Sequence, residues 1–300
     1  MSMKTFSIII PHYNNATDLS RCLDSIPVRD DVEVIIVDDN SDPNEVDFDH
    51  FPGLDRADTK VVFSKAEKGK GPGFARNLGL ETASGEWIIF SDSDDFFLSQ
   101  FGDALDLYKS SNADVVFFRC QKLSVDGVVS DYMMVNNLLE SAEQCCMHDP
   151  ISYEFPCPWG KFIKRSFLKD NTIAFQTITG GDDILFSMKL ASCIQTYDIS
   201  SLYLYCVADR PGSLTRNNSV RILSSYTKAC CSAYEIAPHD KSRMVYHWVS
   251  LWWGRLWAEN KARALALFPM VMNSLGFNLS LHCFKKALSV GKWDWSNRER

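Results

Sequence analysis

The chain reads as an α/β protein, a mostly parallel sheet flanked by helices, with a helical C-terminal extension. Three observations carry this reading. The first hundred residues alternate short β-rich runs with stretches of helical spacing, the pattern of a sheet wrapped by its own crossover helices. Polar and acidic segments follow the ends of several of those runs, as they do at the ligand-binding rim of open parallel sheets. Beyond about residue 217 the strand signals give way to helical texture rich in Trp, so the α/β domain is assigned to residues 1–217 and the extension to 218–300.

The strand candidates are Phe6 to Ile10, Val32 to Val37, Lys60 to Phe63 and Trp87 to Phe90. Between the first two, Leu19, Cys22, Leu23 and Ile26 recur at helical spacing and Pro27 closes the helix, which makes a βαβ unit. A helix then leads to the strand Asp114 to Arg119, and Asp126-Gly127 between apolar β-branched runs predicts a hairpin. An irregular stretch passes through Pro150, Pro156 and Pro158 to a short amphipathic segment at Trp159 to Leu168. The turn Gly180-Gly181 introduces Asp182-Asp183 and a helix over Ile184 to Ala191, and a last strand spans Tyr197 to Val207.

At 300 residues with 46% hydrophobic content, the chain can bury a full core. A formal charge of -7 argues against a broad nucleic-acid surface, which needs a basic face. The apolar run at the start is too short for a signal-peptide core or a membrane span, so the expected location is the cytoplasm. Ten cysteines are scattered without a C-x-x-C motif, which points to free, mostly buried thiols.

Chemistry concentrates at the strand ends. Ser91-Asp92-Ser93-Asp94-Asp95 follows a strand, and three carboxylates so close repel one another unless a cation binds or the loop stays solvated; Mg²⁺ or Mn²⁺ suits the all-oxygen set. Asp38-Asp39 ends another strand, where a carboxylate can also accept from ribose hydroxyls or a base N–H. Tyr13 on the neighbouring loop offers an aromatic face for a base, or packs. Lys68 to Asn77 forms a glycine-rich loop opening a helix, with Lys68, Lys70 and Arg76 able to add charge for a phosphate. A dinucleotide fingerprint is the rival there, but Pro72 removes an N–H and the glycine spacing differs. Asp182 and Asp183 can serve a general base or cap the helix that follows. Arg210 and Ser213, in a polar run, suit either a mobile lid or a surface turn. Trp159 can stack on a sugar or fill the core.

Taken together these segments resemble the family 2 glycosyltransferases of GT-A fold, a Rossmann-like nucleotide-binding sheet. Ser7 to Asn14 is similar to the family's S-I-I-I-P-x-Y-N opening, and Val37-Asp38-Asp39-Asn40-Ser41 to its V-D-D-x-S. Gly71 to Leu80, Ala83 to Phe90 and the Asp92 to Asp95 run are similar to its central block. The resemblance implies an inverting transfer of sugar from a nucleotide-diphosphate donor, preferably UDP, to a hydroxyl of a saccharide or lipid-linked acceptor in bacterial surface-polysaccharide synthesis. It implies that Tyr13 and Asp39 hold the base, that Pro11, Arg76, Asp92 and Ser93 contact the rest of the donor, and that Asp94 with Asp92 binds a divalent metal; the later region with Arg210 and Ser213 is similar to the family's only loosely and is assigned to the donor. Asp183 takes the role of base. Asp182, where the family usually has Glu, and His12, where it often has a small apolar residue, depart from the pattern. Nucleotidyltransferase chemistry and non-catalytic sugar-nucleotide binding are the alternatives.

The resemblance ends before the extension. There Trp248, Trp252, Trp253 and Trp257, with Arg243, Arg255, Lys261 and Arg263, fit helix or dimer packing, or peripheral contact with the inner face of a membrane.

Overall fold

The computed structural model describes residues 4–64, 69–145, 151–210 and 217–289. Its centre is a nine-stranded mixed sheet. Four strands form the parallel half: β1 (Phe6–His12), β2 (Val32–Asp38), β3 (Thr59–Phe63) and β4 (Trp87–Phe90), with β1 lying between β2 and β4. β1, β2 and β4 are buried along their whole length, which explains why they are nearly continuous Val, Ile and Phe. Among the polar residues that interrupt them is Glu33 in β2. Its carboxylate accepts from Ser7 Oγ, from Ser84 N and Oγ and from Lys60 Nζ, so this buried charge fastens three segments at the edge opposite the strand ends.

Helices α1 (Ala16–Asp24) and α2 (Pro72–Thr82) make the crossovers. Asn15 caps α1 by accepting from the Asp18 amide. In α2, Gly79 lies so close to Ile9 that a side chain there would collide with β1, which allows the helix to sit low on the sheet.

The other half of the sheet adds β5 (Phe96–Phe97), β6 (Val115–Leu123), β7 (Val129–Asp131), β8 (Lys161–Lys164) and β9 (Tyr197–Ala208). β8 runs antiparallel between β4 and β6, β9 pairs parallel with β6, and β5 closes on β9. The hairpin expected at Asp126-Gly127 is present as β6 and β7, with Gly127 at φ +79° in its turn. Three features differ from the sequence reading. The segment Trp159 to Leu168 divides into β8 and the short helix α5 (Arg165–Asp170). The two-residue β5 has no periodicity to detect. The stretch entering the irregular region holds helix α4 (Met133–Cys145), which buries Val135, Leu139 and Ala142. Helix α3 (Phe101–Tyr108) precedes β6, and α6 (Asp182–Cys193) follows the double-glycine turn.

The described residues of the extension form four helices: α7 (Val220–Ile236), α8 (Ser242–Glu259), α9 (Lys261–Leu275) and α10 (Phe277–Ser289). Leu223, Cys230, Val245, Val249, Trp253, Leu256, Ala264 and Val271 form their core, and Trp253 donates its indole N–H to Ala264 O. Ile184, Met188 and Ala191 of α6 belong to the same apolar cluster, so the helices are seated directly on the element carrying Asp182 and Asp183. Among the described residues no helix is long and apolar enough to cross a membrane. The eight cysteines whose side chains are described are free thiols.

Candidate active site

Strand register assembles the site. His12 stands level with Asp38, and Phe90 with Ile9, so the segments leaving β1, β2 and β4 emerge on one rim. The first carboxylate there, Asp38, is fully engaged. It accepts from His12 Nδ1 at 2.8 Å, from Ser41 Oγ at 2.5 Å and from Ser41 N at 3.0 Å. Burial pushes its pKa up, but the His12 and Ser41 hydrogen bonds outweigh it and hold the group below the usual carboxylate value. His12, the departure noted in the sequence, is therefore the partner of a buried acid. The Ser41 hydroxyl also accepts from Asn14 N at 2.8 Å, tying together the loops that carry Tyr13 and Asp39. Tyr13 itself is 58% exposed, and Pro11 is buried within β1.

Asp39 is 5% exposed and reaches across to the glycine-rich loop, accepting from Lys70 N at 3.0 Å and Gly71 N at 2.6 Å. Burial raises its pKa against those two amides. Gly71 has φ +100° and is the N-cap of α2, so the loop needs glycine for its backbone and Asp39 to fasten it. Lys68 lies outside the described residues.

Arg76 on α2 is the hub. Only 5% exposed, it donates Nη2 to Asp92 Oδ1 and Nη1 to Asp182 Oδ2, each at 2.5 Å. It thus ties the acidic loop after β4 to the acidic pair that opens α6, across 106 residues of sequence. Burial alone would depress its pKa, but Asp182, Asp92 and Asp183 reverse that and hold it fully cationic. The spacing around Arg76 fitted a donor phosphate; nothing in it signalled that two carboxylates already occupy the guanidinium.

Asp92, Asp94 and Asp95 bring one oxygen each within 4.8 Å of one another, a set able to hold a divalent cation. Asp94 pairs with Arg210, and Arg21 from α1 donates to the Asp94 backbone carbonyl at 2.5 Å. Asp95 is buried and accepts from Ala208 N at 2.8 Å. Burial first, then the neighbouring acids, raise the pKa of Asp94 and raise that of Asp95 well above the usual range. Asp94 and Asp95, which resist losing their protons, stand beside Asp92 in a donor set whose charge a cation would satisfy. Tyr205, fully buried on β9, accepts from Asp92 N at 2.8 Å and fixes the loop from beneath. Ser93 is half-buried in the same turn, Arg210 is half-buried at the end of β9, and Ser213 lies outside the described residues.

Asp182 is 3% exposed and tied to Arg76, whereas no side chain among the described residues bonds to the half-buried Asp183. Burial, reinforced by the charges of Asp182 and Asp92 and only partly offset by Arg76, pushes its pKa to about 7. The capping role the sequence left open is not filled by a side chain, since the N-cap of α6 is Gly181, in the left-handed region at φ +80°. Trp159 is 6% exposed, stacks on Tyr205 at 5.4 Å and 14°, and also meets Phe155 and Tyr132. Its surroundings are those of a core residue rather than of an open sugar-stacking face. Arg21 had no motif of its own to mark its contact with the acidic loop.

Comparison with known proteins extends the picture. A family model described as Glycosyl transferase family 2 matches residues 7–170. The chain is 29% identical over 212 residues to a poly(ribitol-phosphate) beta-glucosyltransferase of Bacillus spizizenii, a match covering 66% of this chain and 31% of that protein. The chain therefore spans about a third of the length of that relative. Among solved structures, residues 1–349 of Staphylococcus aureus TarS in complex with UDP-GlcNAc superpose with a TM-score of 0.63 at 21% identity, covering 91% of this chain and 80% of that one. A Pyrobaculum calidifontis mannosyltransferase in complex with GDP-Man and Mn²⁺ superposes with a TM-score of 0.57 at 17% identity, covering 96% and 81%. Both likenesses are of fold, and both extend over the C-terminal helices as well as the sheet.

Proposed function

The chain belongs to glycosyl transferase family 2, and from that premise we propose that it transfers a sugar from a uridine diphosphate donor to an acceptor hydroxyl with inversion, Asp183 acting as the base. The observation that carries this reading is the bridge at Arg76: one buried guanidinium joins Asp92, on the nucleotide side, to Asp182, beside the only acid of that group without a side-chain partner among the described residues. A base needs a pKa near working pH, and Asp183, at about 7, has one. In the reaction the acceptor oxygen attacks the anomeric carbon as the bond to the diphosphate breaks, and Asp183 takes the acceptor's proton. Burial raises the pKa of Asp182 as well, Arg76 only partly offsets that, and the bond from Arg76 Nη1 holds the Asp182 carboxylate in place beside Asp183.

Tyr13, Asp39, Pro11 and Ser93 are assigned to the nucleoside side and Arg210 to the diphosphate. The exposed ring of Tyr13, on a loop tied to that of Asp39, supports the first assignment. Asp92, Asp94 and Asp95 fit a divalent cation by donor type and spacing, and Mn²⁺ or Mg²⁺ held there would supply positive charge against the departing diphosphate. The solved relative holding UDP-GlcNAc supports a uridine nucleotide, and the beta-glucosyltransferase that acts on poly(ribitol-phosphate) supports an acceptor in bacterial surface-polymer synthesis.

A thermal-shift screen of UDP-GlcNAc, UDP-glucose and GDP-mannose, with and without Mn²⁺, tests the donor assignment. A ligand that binds only the folded chain raises the midpoint, and the uridine sugars should do so most strongly with Mn²⁺ present. No shift with either uridine donor would overturn it.

A further inference from the structure

The double glycine before Asp182 has a partner that no motif announced. A methyl group on Gly180 would stand 2.9 Å from Cε2 of Tyr226, and one on Gly181 would stand 2.9 Å from Cδ1 of Tyr226 and 3.2 Å from Cβ of Ala229. The turn is therefore pressed along the ring of a residue on α7, touching both ring edges, at a point where Gly181 is already in a conformation only glycine adopts freely. Tyr226 is 8% exposed, and its ring stacks on Trp252 of α8 at 3.9 Å and 10°. Above Trp252 lies the Arg255 guanidinium, 4.6 Å from the ring centroid and bonded to Asn218 Oδ1 at 2.5 Å. A continuous column thus runs from the extension to the backbone immediately preceding the acidic pair.

We propose that Tyr226, backed by Trp252, is a positioning residue for Asp183: its ring fixes the Gly180-Gly181 turn and so the direction in which the Asp183 carboxylate faces the acceptor. The proposal rests on Asp183 being the base. Glycine alone would leave this turn free to choose among several conformations, because it restricts its backbone least of all residues. The ring removes that freedom without touching substrate. Burial, with Asp183 and Asp182 close by, also raises the Tyr226 phenol well above its ordinary pKa, which keeps the hydroxyl neutral beside the acids. The extension is thereby part of the catalytic apparatus, although it carries none of the reacting groups.

The test uses full-length variants and UDP release from UDP-GlcNAc, with donor affinity followed separately by thermal shift. Tyr226→Leu should lower kcat roughly tenfold to a hundredfold while donor KM changes by less than about twofold, because misplacing a catalytic group costs rate rather than donor binding. Tyr226→Phe, which keeps the ring, should retain wild-type kcat. The decisive readout is a cycle with Asp183→Asn: adding Tyr226→Leu to that variant should cost no further activity, whereas a merely structural role would multiply the two losses. Multiplying losses, or wild-type kcat in folded Tyr226→Leu, would overturn the proposal. Should Tyr226→Leu fail to fold, Trp252→Leu at the half-buried second layer takes its place, with a smaller kcat loss expected and an unchanged kcat overturning the proposal. Full turnover by Asp183→Asn alone would remove the base assignment and this proposal with it. An inactive Asp183→Asn together with a fully active Tyr226→Leu would remove only the positioning role.

Discussion

Two acidic pairs of identical sequence, Asp38 with Asp39 and Asp182 with Asp183, are supplied with hydrogen-bond donors to different extents. The first is saturated: His12, Ser41 and the amides of Lys70 and Gly71 supply donors to both carboxylates. The second is rationed, with Arg76 engaging Asp182 and Asp183 left without a side-chain partner among the described residues. The outcome shows in the protons. Hydrogen bonding wins over burial at Asp38 and holds it low, whereas burial wins at Asp183 and lifts it to about 7. A carboxylate that has all its donors holds loops together; one deprived of them is basic enough at neutral pH to accept a proton from a hydroxyl.

The contrast breaks most visibly at Asp183. Replacing it with Asn should cut turnover roughly a hundredfold to ten-thousandfold, the usual contribution of a general base, while UDP-GlcNAc still raises the melting midpoint. Turnover within about threefold of wild type would end its role as base. In the wild-type enzyme the acid limb of kcat/KM should have its midpoint near 7, with activity lost below it as Asp183 takes up a proton. An acid limb near the ordinary carboxylate value would assign the limb to another group.

Next in size is Arg76→Met, which strands Asp92 and Asp182 without their shared cation. Breaking one partner of a buried ion pair costs about 3–5 kcal/mol, so the urea midpoint should fall sharply and donor binding with it. A variant as stable as wild type would show that the acids find water or each other instead. Smaller again is Asp38→Ala, which leaves His12 Nδ1 and Ser41 N without their acceptor and should cost about 1–3 kcal/mol. Turnover per folded molecule should persist, since Asp38 faces the protein; a selective loss of kcat would move it into the reacting group.

The parallel half of the sheet was legible because its strands are buried on both faces and need unbroken apolar runs, and because parallel strands deliver their trailing loops to one rim. That logic located Asp39, Asp92 and Asp94 in sequence, whereas Asp183 was marked by the double-glycine turn that opens a helix. It did not reveal how the acids are shared out, because the Arg76 bridge joins residues sixteen and 106 positions away. β8 was hidden for a different reason. It opens with Lys161, 1% exposed, whose ammonium donates to the carbonyls of Phe155 and Cys157 and lies 3.5 Å from the Phe155 ring centroid. Burial draws its pKa down to about 7, and a lysine whose needs are met by main-chain carbonyls has no acidic partner to mark it in the sequence. Tyr226 was invisible in the same way, since the only trace of it was the pair of glycines that make room for its ring.

The smallest effect is the most discriminating between the two pairs, because it reverses the sign. Asp183 has a folded pKa raised above its ordinary value of 3.8 to about 7, so the folded state binds the extra proton. Its contribution to stability is therefore greatest at low pH and is lost as pH rises through that window, after which the penalty is constant. Asp38, held low, contributes in the opposite direction, and its stabilisation is lost as pH falls. Asp183→Asn should consequently melt several degrees higher than wild type at pH 8, with the advantage vanishing toward pH 4, as expected when about 1 kcal/mol or more of unfavourable charge burial is relieved. Asp38→Asn should melt lower than wild type at pH 8 and converge with it on acidification. Parallel melting curves for the two variants would mean that the pairs share one environment, and an Asp183→Asn enzyme less stable than wild type at pH 8 would mean that its carboxylate is as well supplied with donors as that of Asp38.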